Sequence, residues 1–141
     1  MGDSMTGKLN EVLTEARGNA SSLLAERCSD PQGFPTTSGV YFIYNAEGKI
    51  FYVGQANNLR QRVRNHTSGG GKNCERSVFC RKISRGEYNG EKINCGEEMR
   101  NWVKNNCQFS CIKIHNKDSY GLVETFLIKL LRIQGFKLLN S

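Results

Sequence analysis

The chain has 141 residues, enough for one domain with a modest core. Its 20 Lys and Arg against 13 Asp and Glu give a net charge of +7 and a pI near 9.2, which favours polyanionic partners such as nucleic acid. No run approaches the ~20 apolar residues of a membrane span, no basic amphipathic stretch carries aromatic anchors, and residues 1–10 are polar. A membrane role is therefore not expected, and the location expected is intracellular, cytoplasmic or nucleoid-associated.

From Lys8 to Arg27, Leu9, Val12, Leu13, Ala16, Ala20, Leu23 and Leu24 recur at helical steps, which predicts an amphipathic helix. Pro31, Gly33 and Pro35 then form a linker, so residues 1–37 read as an N-terminal helical extension ahead of a module over 38–141. Val40 to Asn45 and Lys49 to Gly54, rich in Val, Ile, Phe and Tyr, predict two strands of a hairpin. A two-residue turn at Glu47-Gly48 would set Ile43 opposite Tyr52 and put Tyr41 on the same face. A three-residue turn would place the two tyrosines on opposite faces, unless a bulge restored the register.

Asn57 or Asn58 caps a helix running to about His66, and Ser68-Gly69-Gly70-Gly71 ends it. Residues 74–85 read as a short helix, and Gly96 to Asn106 as a helix with Met99, Trp102 and Val103 inward. Phe109 to His115 alternates as a third strand, with His115 exposed at its end. Ser119 opens a helix from Tyr120 to Gln134, closed by Gly135, and apolar nearly all round; burial on most sides is expected. The pattern is α+β, a small sheet with helices on its faces. The six cysteines, Cys28, Cys74, Cys80, Cys95, Cys107 and Cys111, include no C-x-x-C pair. Mostly buried or inert free thiols are expected, ahead of a zinc site or a redox pair.

Four cations, Arg60, Arg62, Arg64 and His66, lie on the helix after the hairpin. At 100° per residue Arg62 and His66 project within about 40° of each other, beside Leu59 and Val63. An arginine held against that core side presents a rigid fork to phosphate oxygens, whereas Arg60 and Arg64 point to solvent or to a ligand backbone. Glu124 shares a side with Leu127, Ile128 and Leu131, where an unpaired carboxylate costs several kcal/mol. It needs a cation: Arg62, in a structural salt bridge, or a metal such as Mg²⁺.

Gly39-Val40-Tyr41, Tyr52-Val53-Gly54, Asn58-Leu59-Arg60-Gln61-Arg62 with His66, then Glu124 and Asn140 together resemble the GIY-YIG nuclease family over roughly residues 38–140. The resemblance implies a small central antiparallel three-stranded sheet flanked by helices, with the N-terminal helix as an addition. It implies metal-dependent cleavage of DNA to 5′-phosphate and 3′-hydroxyl ends, with one Mg²⁺ or Mn²⁺ per site. Carried over by position, Tyr41 and Tyr52 are the motif tyrosines, Arg62 the phosphate-binding arginine, His66 the helix histidine of several branches, Glu124 the sole protein ligand of the metal, and Asn140 the late motif asparagine. Gly54, Gln55, Arg60, Arg64 and Lys72 are the candidates to meet nucleic acid, Gly54 by letting its backbone approach a ligand or the next helix.

Gln55 stands where some members have lysine, residues 69–106 match no recognisable part of the family, and the chain stops one residue after Asn140. An excised catalytic domain or a minimal standalone enzyme is expected, the former with a fused or separate DNA-targeting domain as partner. The segment from Tyr52 to Arg62 is similar to the bacterial excision-repair nuclease, while His66 fits homing and restriction branches better. The alternative reading is a catalytically silent nucleic-acid-binding module on the same fold. No element suited to reading bases in the major groove is evident.

Overall fold

The computed structural model describes residues 31–115 and 120–140. The helix expected over residues 8–27 lies outside them, as do residues 116–119. After a short 3-10 turn at Pro31–Gly33 the elements run β1 (Gly39–Tyr44), β2 (Ile50–Ala56), α1 (Leu59–Thr67), α2 (Val78–Ser84), α3 (Glu97–Asn106), β3 (Gln108–Lys113) and α4 (Tyr120–Ile133). β1 is the middle strand of an antiparallel sheet in the order β2-β1-β3. The α+β expectation holds.

Side-chain alternation gives the sheet two buried faces. Tyr41, Ile43, Tyr52 and Phe109 face α1, α2 and α3, where they meet Leu59, Val63, Phe79, Ile83, Met99 and Val103. Val40, Phe42, Tyr44, Val53 and Ile112 face α4 and meet Val123 and Leu131. All six β1 residues are buried, as expected of a central strand covered on both sides.

The hairpin resolves the register question in an unexpected way. The Gly48 amide donates to the Asn45 carbonyl (2.9 Å), the Asn45 amide to the Lys49 carbonyl (2.8 Å), and Gly48 has φ 77°. Asn45 Oδ1 also accepts from the amides of Glu47 and Lys49, at 3.0 Å each. This is a three-residue loop, Ala46 to Gly48, with glycine in the left-handed position, and not the two-residue turn at Glu47-Gly48. Left alone it would split the tyrosines. A bulge follows: Tyr44 pairs with Ile50 but Ile43 pairs with Tyr52, so Phe51 is the extra residue. Tyr41 then pairs with Gly54, and both tyrosines stand on the face covered by α1, α2 and α3.

Asn58 caps α1, its side chain accepting from the Gln61 amide at 3.0 Å. Gly39 opens β1 where a Cβ would meet the Ile112 carbonyl oxygen at 2.1 Å, so the β1–β3 ladder closes only around glycine there. α4 ends with the Phe136 amide bonded to the Leu131 carbonyl and Gly135 at φ 93°.

Two expectations are corrected. α4 is not buried on most sides: Val123 and Leu131 face the sheet, while Leu122, Phe126, Leu130 and Ile133 are exposed. A helix lying on a single sheet has one covered face, and among the described residues nothing covers the other. Not all of the cysteines are free thiols: Cys74 and Cys95 form a disulfide across 21 residues, a separation that short-range spacing patterns overlook, while the other described cysteines are outside any disulfide. Cys80 and Cys107 are buried thiols, and burial pushes the Cys80 thiol up to about 11. No described helix is long and apolar enough to cross a membrane.

Candidate active site

Tyr41 is the centre of the constellation. Its ring lies over Gly54, where a Cβ would come within 2.2 Å of both Cζ and the hydroxyl oxygen Oη. Gly54 therefore makes room for this phenol, not for a ligand or the next helix. Tyr41 Oη is 2.7 Å from His66 Nε2, a buried contact between β1 and the last turn of α1. The Tyr52 ring stands 6.3 Å from both, tilted 31° to Tyr41 and edge-on to His66. The three rings form one wall because the bulge, the Gly54 gap and the Asn58 cap together aim strand and helix at the same point.

His66 is fully enclosed, at 1% exposure. Burial, reinforced by the Arg62 charge, lowers its pKa from 6.5 to about 3, so the imidazole is neutral at physiological pH. Burial raises Tyr41 well above the usual phenol value; Tyr52 and Glu124 push it up further, and Arg62 pulls it down. Tyr52 is raised too, by burial first and Glu124 second, and is lowered by Arg62. The geometry thus assembles phenols that resist ionisation beside a cation that favours it.

Arg62 is exposed, contrary to the expectation of a fork clamped against the core. It leaves α1 at the margin of the covered face, where its charge acts on Tyr41, Tyr52, His66 and Glu124. Glu124 is half-buried on α4, and burial raises its carboxyl while Arg62 lowers it. Among the described residues Glu124 has no ion pair, with Arg62 or otherwise. A half-buried carboxylate with no ion pair among the described residues fits one divalent ion whose other ligands are waters and phosphate oxygens. No described cluster of three His, Cys, Asp or Glu side chains offers an all-protein cage.

The remaining predicted residues scatter. Asn140 is not among the rings: its side chain accepts from the Val53 amide (3.0 Å) and donates to the Val53 carbonyl (2.6 Å), closing the open edge of β2 one residue from Tyr52. The Leu139 amide adds a bond to the Phe51 carbonyl at 2.7 Å. Arg60 Nε is engaged by the Phe34 carbonyl at 2.7 Å, which ties α1 to the segment before β1. Gln55 pairs with Val40 on the face turned to α4, and its Oε1 lies 3.1 Å from where a Gly121 Cβ would stand. Arg64 and Lys72 are exposed; Lys72 lines an open depression with Ser68 and Arg100. His115 is exposed beyond β3, as expected.

Two contributors went unrecognised in the sequence, both from residues 69–106, where the sequence alone offered no recognisable part of the family. Ser77 Oγ lies 2.6 Å from His66 Nδ1 and caps α2 by accepting from the Cys80 amide at 2.9 Å. Phe79, wholly buried, stands edge-on to Phe51, Tyr52 and His66 at 5.5, 5.3 and 5.7 Å. The Ser-Val-Phe-Cys start of α2 carries a capping signal, but nothing local says which histidine it will meet.

Local similarity links the chain to proteins named UvrABC system protein C. It is 49% identical over 47 residues to that of Bdellovibrio bacteriovorus, which is 33% of this chain and 8% of the relative. It is 41% identical over 54 residues to that of Caldicellulosiruptor saccharolyticus, 38% of this chain and 9% of the relative. The matched segments span less than a tenth of those relatives' lengths. Among solved structures, the GIY-YIG N-terminal endonuclease domain of UvrC from Thermotoga maritima, bound to its catalytic divalent cation, superposes with a TM-score of 0.47 at 22% identity, covering 79% of this chain and 90% of that one. The model of the GIY-YIG catalytic domain matches residues 37–137, most of the chain and every element from β1 to α4. This chain belongs to the GIY-YIG nuclease family.

Proposed function

We propose that residues 38–141 are the catalytic domain of a divalent-metal-dependent DNA endonuclease that hydrolyses phosphodiester bonds to 5′-phosphate and 3′-hydroxyl ends, with residues 1–37 as an extension. The observation that carries this reading is the meeting of Tyr41, Tyr52 and His66 on one face, with the charges of Arg62 and Glu124 acting on the same phenols.

Glu124 would hold one Mg²⁺ or Mn²⁺, which when bound supplies Lewis-acid stabilisation of the leaving oxygen. Arg62, exposed and free of an ion pair with Glu124, neutralises charge growing on the non-bridging phosphate oxygens. Tyr41 takes the proton of the attacking water once its phenolate is stabilised by Arg62 and by the hydrogen bond at His66 Nε2. Tyr52 orients that water. The buried neutral imidazole of His66 serves as a hydrogen-bond partner, since protonating it there is costly. Asn140 acts on the site through Val53, holding the β2 edge that carries Tyr52.

Exposed Arg64 and Lys72 are the phosphate-contacting candidates, with the net charge of +7 behind them. The similarity to UvrABC system protein C supports action on DNA inside the cell, together with a further DNA-targeting domain or partner. The experiment is cleavage of supercoiled, nicked, branched and flap DNA by the purified chain, with Mg²⁺, with Mn²⁺ and with EDTA. Metal-dependent nicking, lost in Arg62→Ala with the fold intact, is expected. Binding without cleavage on every DNA form would favour the silent binding module.

A further inference from the structure

We propose that Ser77 is a positioning residue that holds His66 in the Nε2–H tautomer, so that the imidazole donates a hydrogen bond to Tyr41 Oη instead of receiving the phenol's proton. The inference rests on the reading of Tyr41 and His66 as parts of the nuclease site.

The protons around one buried hydroxyl decide the tautomer. Ser77 is 2% exposed and has extended backbone angles, φ −146° and ψ 109°, which suit an N-cap. Its Oγ accepts from the Cys80 amide at 2.9 Å, and an amide can only donate. That contact occupies a lone pair and leaves the hydroxyl proton to be placed. His66 Nδ1, 2.6 Å away, is a strong acceptor when unprotonated. The nearby Cys80 sulfur is a weak one, and its thiol is directed at the His66 carbonyl, 3.5 Å away.

Placing the Ser77 proton on the line to Nδ1 satisfies both groups. The ring hydrogen must then sit on Nε2, 2.7 Å from Tyr41 Oη, and it donates there. The opposite tautomer has Nδ1–H donating to Ser77 and leaves the serine proton with only sulfur to meet. It also makes Nε2 the acceptor of the Tyr41 proton, and a transfer would create an imidazolium in a site 1% exposed to water.

With Nε2–H as donor, the Tyr41 proton is directed away from His66, and the Tyr52 ring, 6.3 Å from that of Tyr41, is the neighbouring phenol. His66 then stabilises a Tyr41 phenolate without changing its own protonation. α2 is held for this task by Phe79, packed edge-on against both His66 and Tyr52.

The test is ¹⁵N NMR of the folded chain with labelled histidine, His66 being assigned by its loss in His66→Gln. A protonated Nε2 and a bare Nδ1 are expected; the reverse pattern in the wild-type chain overturns the proposal. Ser77→Thr keeps hydroxyl and cap, so the wild-type pattern and a single-turnover nicking rate within about threefold are expected. Ser77→Asp keeps the cap but offers Nδ1 only an acceptor, so an inverted pattern and a roughly 10²-fold slower rate at unchanged DNA affinity are expected. An inverted pattern at the wild-type rate refutes the proposal. If Ser77→Asp does not fold, the wild-type spectrum decides alone. A wild-type chain that cleaves nothing defeats the nuclease reading, while the tautomer is still read from the same sample.

Discussion

A methyl group added at Gly54 would stand 2.2 Å from Tyr41 Cζ and Oη. Carbon atoms in ordinary contact are ~3.5–4.0 Å apart, so the Tyr41 ring would have to retreat by about 1.5 Å. The ring has no free direction, because it is 2% exposed and its hydroxyl is committed to His66 at 2.7 Å. Overpacking of this kind costs about 1–3 kcal/mol, or roughly 4–8 °C in Tm per kcal/mol for a domain near 100 residues. The catalytic consequence is larger, since a displacement of about 1 Å at a reacting group is worth ~10²-fold in rate. Gly54→Ala is therefore expected to fold, melt several degrees lower by circular dichroism, and nick plasmid at least ~10²-fold more slowly under single-turnover conditions. A Gly54→Ala chain with wild-type Tm and wild-type rate would refute the claim that the phenol fills this space.

Three further outcomes follow from individual contacts. His66 has a folded pKa of about 3 against an ordinary 6.5, so on acidification the unfolded chain takes up this proton first. Its contribution to stability is whole above about pH 6.5 and fades toward pH 3, at about 1.4 kcal/mol per unit, so urea unfolding at pH 7 and pH 5 should differ by about 2 kcal/mol from this group. His66→Gln should flatten that difference, and an unchanged pH dependence in the variant would contradict the assignment. Reducing the Cys74–Cys95 disulfide opens a 21-residue loop and should cost about 3 kcal/mol, seen as a lower Tm in reductant that Cys74→Ser with Cys95→Ser reproduces without it. Asn140→Ala strands both polar groups of Val53 and should cost about 1–3 kcal/mol in urea unfolding; full stability with cleavage abolished would make Asn140 a chemical group and not a clamp.

Much of this arrangement was legible because spacing constrains it. The capped helix after the hairpin, the third strand and the late helix with its carboxylate all follow from periodicity and caps. The tyrosine register was half legible: Gly48 suits either turn, and the unbroken run Ile50-Phe51-Tyr52-Val53 gives no sign of where an extra residue sits, since both sheet faces are buried. The split of Arg62 from His66 was not legible either. Both share a helix side by angle, but His66 lies one turn further along, under Phe79 and Ser77, while Arg62 stays at the margin. Contacts that cross the fold, Cys74 with Cys95, Ser77 with His66 and Asn140 with Val53, depend on the tertiary path and leave no local pattern. The exposed side of α4 misled for the same reason, as an apolar helix announces burial without naming what buries it.

The central claim is that Glu124 is the one protein carboxylate through which a divalent ion serves the reaction. It is tested most directly by titrating Mn²⁺ or Mg²⁺ into plasmid nicking by the wild-type chain and by Glu124→Gln, which keeps the shape and removes the charge. Saturable, EDTA-reversible nicking by the wild type is expected, with a loss of ~10³-fold or more in Glu124→Gln at every metal concentration and its Tm retained. Nicking by Glu124→Gln at the wild-type rate and metal dependence would contradict the claim.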